Sequence, residues 1–593
     1  LLHALGVYDL ANWTPGHPMA LRLEDVPTLI YPVCRTADGV WVQFAQNAPS
    51  LYRAFLVALD LSHLYDDPRF ERAPWVPNPD DARTLRAILL ERFAERTWAQ
   101  WSELFADESD ISAEPLLSPG EVLQHPQARA TSDVCTVEDP TVGPSEQLGA
   151  LGSFHGCAPG VPGTAPTSVS SANWAPRPAS DAEPNPVTPG DAPPLLSGIT
   201  VLELATWIAT PLASALLAEL GARVIKIEPL AGDPMRGHGN IGWKCVQGKE
   251  SLAVDLKTAD GVEIVQRLAA RADALVHNFR PGVPERLGID PATLLAINPR
   301  LVHVYAGSYG STGPLSDRPA FHVTFGAIDG GVMAQVGAAG TPAPDAEVPP
   351  DEAAQWYQLL SRANDPNPDF NAALATAAVL AMGVWHRDRA GSGQAIETRM
   401  LAANAYAMSE HTIDFDGRPP RDVPDAQRLG ISARYRLYPA ADGWVFLAAP
   451  RDDELARVGE LIGGDDLLDL DDAALADRLG EAFAGAPADD WESRAAAAGV
   501  ACVRADLGPL PRYAFGADWA ERSGFVVEST PNGHGPYLRY GPAVTGERSV
   551  GPMGAADDVG AQTRALLAEL GYADTDIDRF LADGIVGGPR PAD

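Results

Sequence analysis

The stretch that most limits what this chain can fold into is residues 199–310, where short β-branched apolar runs alternate with helical patterns. GITVLELA is followed by PLASALLAELG, with Pro at the start and Gly at the end of a helix pattern. RVIKIEP, SLAVDL, ADALVHNF and LVHVYAGSYG repeat the strand pattern, and GVEIVQRLAARA and PATLLAINP supply helices between some of them. Parallel strands need a crossover between them, and a helix provides it. Alternation of this kind predicts an α/β architecture with a doubly wound parallel sheet, here over residues 195–400.

On both sides of this region the pattern changes. Residues 156–194 are rich in Pro, Ser, Ala and Gly and bury little, which predicts an extended tether. Beyond it lies a repeat. YPVCRTADGVWVQFA (31–45) is similar to YRLYPAADGWVFLAA (435–449), each a strand, a tight DG turn and a strand. Both are followed by a leucine-rich helical stretch and then a Trp-bearing helix, ERTWAQWSELF and APADDWESRAAAAG. Residues 1–155 therefore read as a second copy of the smaller α+β domain at 401–550, with 551–593 returning to the large domain. The first copy lacks the strand–helix part that precedes the second, and the chain opens on Leu1. We expect a piece of a longer two-copy protein, with an apolar face of residues 1–155 left bare.

Charge narrows the partners. Among 593 residues, 44 Lys and Arg stand against 79 Asp and Glu, a net of −35. Such a surface repels phosphate backbones and anionic lipid, so neither nucleic acid nor a membrane is expected. A small anionic ligand would need a local basic or amide-lined site. The five cysteines are scattered, with no CxxC and no His at metal spacing. They read as reduced thiols of a cytoplasmic protein without a metal centre. The longest apolar run, 372–385, is too short to span a bilayer, which takes about 18 residues or more.

Several residues could carry chemistry. Asp369 precedes that apolar run, where an aspartate can cap a helix. The same position keeps a carboxylate ionised, and an ionised carboxylate can act as a covalent nucleophile. Asn371, Ala372 and Ala373 leave room for a substrate. NFRPGVPERLG (278–288) follows a strand, at the carboxyl end where open α/β sheets bind ligands, and Arg280 or Arg286 could meet phosphates there. SYGSTGP (308–314) could offer backbone amides to an anion. His322 and Lys249 are further candidates, although a lone His or Lys is more often a packed or surface residue. No nucleophile elbow or Walker loop is present in the sequence.

Taken together, LLSGITVLELA, LLAELGARVIKIEPLAGDPMR, GKESLAVDLKTADG, VHNFRPGVPERLGID, NPRLVHVYAGSYGSTGP, DRPAF and the block from Asp369 to RAGSGQ resemble the family III CoA-transferases of the CaiB/BaiF, formyl-CoA transferase-like type. The pieces come in family order across 195–400. The DG hairpin, DDPRF (66–70) and EVLQHPQARA (121–130) resemble the family's small domain. The resemblance implies a Rossmann-like large domain with a smaller α+β domain. It also implies interlocked dimers, in which fusion of two copies would give a pseudo-dimer within one chain or a homodimer of such chains. It implies CoA and acyl-CoA as substrates rather than a resident cofactor, and an organic acid as the other partner. Asp369 would attack the acyl-CoA thioester, by a route without a metal. His322 would orient or protonate an acyl oxygen. Asn278, Phe279, Arg286, Trp207, Ile208 and Lys249 would bind CoA.

The chain departs from the family pattern at Pro368 and Ala373, where Gly is common, and at Ala209–Pro211, where A-G-P is common. His322 stands where many members carry an acid. Two other readings follow from the same resemblance. One is an acyl-CoA racemase or epimerase, although the family's racemases use His then Asp where this chain has Phe321 and His322. The other is a non-catalytic acyl-CoA-binding partner.

Overall fold

The computed structural model describes residues 29–106, 108, 110–157, 193–237, 240–363, 367–464, 466–505, 514, 517–528, 538–543 and 557–589. Most of the Pro-rich segment lies outside the described residues.

Six parallel strands make the centre of an eight-stranded sheet. In spatial order they are Glu250–Val254, Arg223–Glu228, Thr200–Leu204, Ala274–His277, Val302–Gly307 and Gln394–Arg399. The chain winds one way from Thr200–Leu204 and then the other way from Ala274–His277. That reversal opens a crevice at the carboxyl ends of these two strands. The strands read as nearly continuous apolar runs because both faces are covered. Leu202, Leu204, Ile225, Ile227, Leu252 and Leu275 pack on one side, under helix Ala259–Ala269 and the C-terminal helices Thr563–Glu569 and Asp574–Ala582. Val201, Val224, Val276, Val302, Val304 and Ile396 pack on the other, under Leu217 of helix Ala209–Glu219 and Val379 and Leu380 of helix Asn367–Ala390. Each such side chain contributes roughly 1.5–3 kcal/mol on burial, so reversing the pleat of one strand would forfeit several of them.

Both edges are closed by antiparallel strands from distant chain. Val586–Gly587 pairs with Glu250–Val254, and Gly152–Phe154 pairs with Gln394–Arg399. The second pairing joins residues on opposite sides of the Pro-rich segment. Another short strand, Ile413–Phe415, pairs with Gly143–Leu148 in the same way.

Two small units share one design. The first has the sheet Val33–Arg35, Trp41–Phe44 and Ala113–Pro115, over a core that includes Phe44, Phe55, Phe93 and Trp101. The second has Gly430–Ser432, Tyr435–Pro439, Trp444–Ala448 and Ala501–Arg504, over Val445, Leu447, Phe483 and Trp491. The second sheet begins at Gly430. Helix Met400–Ala407, ahead of it, packs on the large unit through Met400 and Leu401 beside Ala372 and Phe325.

Residues 1–155 were expected to leave an apolar face bare, but the outer face of the first small sheet is covered at Val33 and Trp41. Val33 and Trp41 are buried against Val332, Val336 and Leu360 of the large unit. The covering surface comes from this same chain, from the large unit rather than from a missing half. Arg35 adds bonds from Nη2 to the carbonyls of Ala343 and Pro344 at 2.9 and 3.1 Å.

Candidate active site

A cavity of about 350 Å³ opens at the carboxyl ends of the central strands, where the winding reverses. Its walls include Trp207, Phe279, Tyr305 and Thr398 from strand ends and the loops after them, Phe321, and Asp369. Ala48, Ser50 and Leu51 of the first small unit complete the rim.

Asp369 is the third residue of helix Asn367–Ala390, inside its first turn rather than before it. The residue is 7% exposed and borders the cavity. Asn404 pins this helix start: its Nδ2 donates to the Pro368 carbonyl at 3.1 Å, and its Oδ1 accepts from Asn371 at 2.9 Å. Small side chains at Ala372 and Ala373 keep the turn narrow, and Ala372 is itself part of the cavity wall.

His322 opens helix His322–Ile328 and places Nδ1 3.4 Å from Oδ2 of Asp369. The two residues are 47 positions apart in sequence, so only the fold makes them a pair. His322 does not border the cavity. Its contact is with the carboxylate, and its position suits orienting Asp369 rather than meeting an acyl oxygen directly. The ring of Tyr31, from the first small unit, lies edge to face with the imidazole at 5.1 Å between centroids.

The other expected residues are distributed unevenly. Trp207 borders the cavity with φ at 69°, a left-handed conformation uncommon for a bulky side chain. Its ring meets Phe321 edge to face at 5.8 Å. Asn278 spends its amide on the same loop, accepting from Thr206 N at 3.2 Å and donating to Thr206 O at 2.9 Å. It therefore fixes the loop that presents Trp207. Phe279 borders the cavity and lies near-parallel to His277 at 5.6 Å.

The structure does not bring Ile208, Lys249 or Arg286 to the cavity wall. Ile208 is buried with Leu212, Ala213 and Phe370. Lys249 is enclosed below the helix start, with Nζ bonded to Glu203 at 2.5 Å and to the carbonyls of Pro211 and Cys245 at 2.6 Å. Burial lowers its pKa. A Lys before a strand looked like a surface group in sequence, but Glu203 inside an apolar strand is the counter-charge that draws it inward. Arg286 points out from the short helix Val283–Leu287 as an exposed residue.

The glycine loop 308–314 is held by side chains from elsewhere in the chain. Gln127 of the first small unit fills it, donating to Tyr309 O at 2.9 Å and Thr312 O at 2.7 Å and accepting from Leu315 N at 2.8 Å. Glu397 accepts from Ser311 N at 3.1 Å. Two carbonyls of the loop and the amide of Ser311 are thus taken by side chains of this chain.

Three arginines line the cavity: Arg280, Arg318 and Arg399. Each also touches the first small unit. Arg280 pairs with Asp110 at 3.0 Å, Arg318 donates to the Phe105 carbonyl at 3.1 Å, and Arg399 pairs with Asp133 at 3.0 Å. Sequence reading missed Arg318, Arg399 and Tyr31. Arg399 ends the strand QAIETR, so the rule that ligands gather at strand carboxyl ends was the available signal. Tyr31 had none. Among the described residues, no three His, Cys, Asp or Glu converge as metal ligands, and no helix is long and apolar enough to cross a membrane.

Comparison with known proteins agrees with this architecture. The family described as CoA-transferase family III matches residues 8–168 and 196–548. The succinate–glutarate CoA-transferase of Agrobacterium fabrum is 29% identical over 292 residues, 46% of this chain and 68% of that protein. The alpha-methylacyl-CoA racemase of Mus musculus is 32% identical over 217 residues, 36% of this chain and 50% of that protein. A crystal structure of a CaiB/BaiF family protein from Brucella suis has the same fold, with a TM-score of 0.50 at 24% identity over 64% of this chain and 100% of that one.

Proposed function

The chain belongs to CoA-transferase family III, and we propose that it moves CoA from an acyl-CoA to a carboxylic acid through a covalent intermediate on Asp369. The observation that carries this reading is the Asp369 carboxylate itself, set in the first turn of a long helix, bordering the cavity and paired with His322.

The steps balance without an outside reactant. A carboxylate oxygen of Asp369 attacks the thioester carbonyl of the donor, and CoA leaves as thiolate. The product is a mixed anhydride between the acyl group and Asp369. The thiolate then attacks the aspartyl carbonyl, releasing the donor acid and leaving an aspartyl-CoA thioester. The acceptor carboxylate attacks that carbonyl in turn, expelling the thiolate and forming a second anhydride. The thiolate finally takes the acceptor acyl group and restores the carboxylate. Each step exchanges acyl groups between leaving groups of similar reactivity, which suits covalent catalysis. The cavity's arginines favour the anionic acid and the CoA phosphates electrostatically. Phe279, Trp207 and Phe321 give an apolar wall for the acyl portion.

The test is intact-mass analysis after incubation with a panel of acyl-CoAs, beside Asp369→Asn. An adduct on the peptide that contains Asp369, absent in Asp369→Asn, is expected. Turnover in that variant should fall by at least about a thousandfold. Bound acyl-CoA without any adduct would contradict the reading and favour a binding partner.

One observation keeps the racemase reading in view. The Asp369 carboxylate, on the cavity wall and 3.4 Å from His322 Nδ1, could exchange a proton at the carbon next to a thioester. Solvent deuterium incorporated at that carbon, without transfer of CoA, would decide for it.

A further inference from the structure

Tyr31 lies two residues ahead of strand Val33–Arg35 in the first small unit, yet its ring reaches the imidazole of His322 in the large unit. The centroids are 5.1 Å apart and the planes meet at 77°. His322 holds Nδ1 3.4 Å from the Asp369 carboxylate. We propose that Tyr31 is a positioning residue for Asp369, acting through His322, so that the carboxylate is aligned for attack only while the first small unit is docked. The inference rests on the transferase reading above.

The need for such a residue follows from the side-chain torsions. The second torsion of a histidine is broad, so an imidazole beside a carboxylate keeps one ring plane only if a neighbour fixes it. An edge-to-face aromatic contact does this without adding charge. Burial, and next the negative charge of Asp369, raise the phenol pKa above its ordinary value, so the ring stays neutral beside the carboxylate.

Tyr31 is itself well held. Gln43, fully buried, donates from Nε2 to the carbonyls of Tyr31 and Pro32 at 3.2 Å and of Phe44 at 2.8 Å. Gln46 N donates to the Ile30 carbonyl at 2.8 Å. The Asn47 amide reaches the Tyr31 hydroxyl at 3.5 Å.

The repeat supplies an internal control. Tyr435 occupies the matching place in the second small unit and is 42% exposed. The core of a small unit therefore does not require burial of a tyrosine there. What distinguishes Tyr31 is what lies beyond it.

The test compares the rate of Asp369 labelling by acyl-CoA in the full chain, together with KM, for Tyr31→Phe, Tyr31→Leu, Tyr31→Met, His322→Ala and the Tyr31→Leu/His322→Ala double variant. Tyr31→Phe keeps the ring and should stay within about threefold of the parent. Tyr31→Leu should slow labelling by about 10–100-fold with KM within about twofold, because alignment is lost and binding is kept. Tyr31→Met, with different bulk, should show the same split even if Tyr31→Leu folds poorly. The double variant should be no slower than His322→Ala, as expected of residues acting in one chain of contacts. Labelling at the parent rate in both Tyr31→Leu and Tyr31→Met, or a double variant carrying the full loss of each single one, would overturn the proposal. A parent chain that takes no label from any acyl-CoA would overturn the transferase reading instead, and that failure shows before any variant is made.

Discussion

The two small units are built alike inside and meet different surroundings outside. In the first, Trp101 Nε1 donates to the Phe93 carbonyl at 2.9 Å; in the second, Trp491 Nε1 donates to the Phe483 carbonyl at 2.9 Å. Asp38 of one DG turn accepts from Trp98 N at 2.9 Å, and Asp442 of the other accepts from Ala488 N at 2.7 Å. The outer faces of the two sheets diverge. Trp41 is 4% exposed against the large unit, whereas Trp444 at the matching place is 39% exposed. Gln43, fully buried, stands where the second unit has Phe446. The inward face of a repeat therefore fixes its fold, and its outward face records whether another unit is seated there. Among the described residues the seated unit, the first, is the one that lines the cavity.

This contrast can be broken by substitution. Trp41→Ala should cost about 3–5 kcal/mol, the usual loss for a buried large aromatic. Trp444→Ala should cost well under half of that, since much of the ring is already in water. Chemical denaturation of the full chain measures both, and equal losses would mean that the two faces are not differently covered.

The seam between the first unit and the large unit should also respond to pH. Burial pushes the Asp133 carboxyl up to about 6, against the pull of Arg399 and the Thr131 hydroxyl and with the charge of Glu397 adding to the rise. The folded state then holds a proton that the unfolded chain gives up near pH 4. The cost is absent below about pH 4, grows through the window to about 6 and is fully present above it, on the order of 2 kcal/mol. Asp133→Asn should flatten that slope in denaturation midpoints measured across the same window. A slope unchanged by Asp133→Asn would assign it to other groups.

The smallest effects sharpen the likeness. Trp101→Phe and Trp491→Phe each remove one buried hydrogen bond and should each cost about 1 kcal/mol. Unequal costs beyond about 0.5 kcal/mol would show that the interiors differ more than their geometry indicates.

The large unit was legible because a parallel sheet covered on both faces leaves strands such as Val201–Leu204 as plain apolar runs. Asp369 stood out in the sequence as the carboxylate just ahead of the apolar run 372–385, and the structure sets it on the cavity wall, inside the helix rather than before it. The two small units were legible through their shared DG turns. What escaped was contact between distant parts of the chain. Nothing local shows that Gln127 fills the loop at Tyr309–Leu315, that Gly152–Phe154 closes the sheet, or that Tyr31 meets His322. Lys249 was misplaced for a different reason: a buried ion pair with Glu203 looks, residue by residue, like two surface charges.

The central claim is that Asp369 takes part covalently, and one isotope experiment addresses it most directly. The chain is given an unlabelled acyl-CoA and an acceptor acid carrying heavy oxygen in its carboxylate, then digested and mapped. The anhydride route breaks the bond between the acceptor's acyl carbon and the oxygen it shares with Asp369, so each complete turnover leaves one heavy oxygen on that carboxylate. Heavy oxygen on the peptide containing Asp369, growing with turnover, is the predicted result. Transfer of CoA to the acceptor with no label anywhere on the protein would contradict the account.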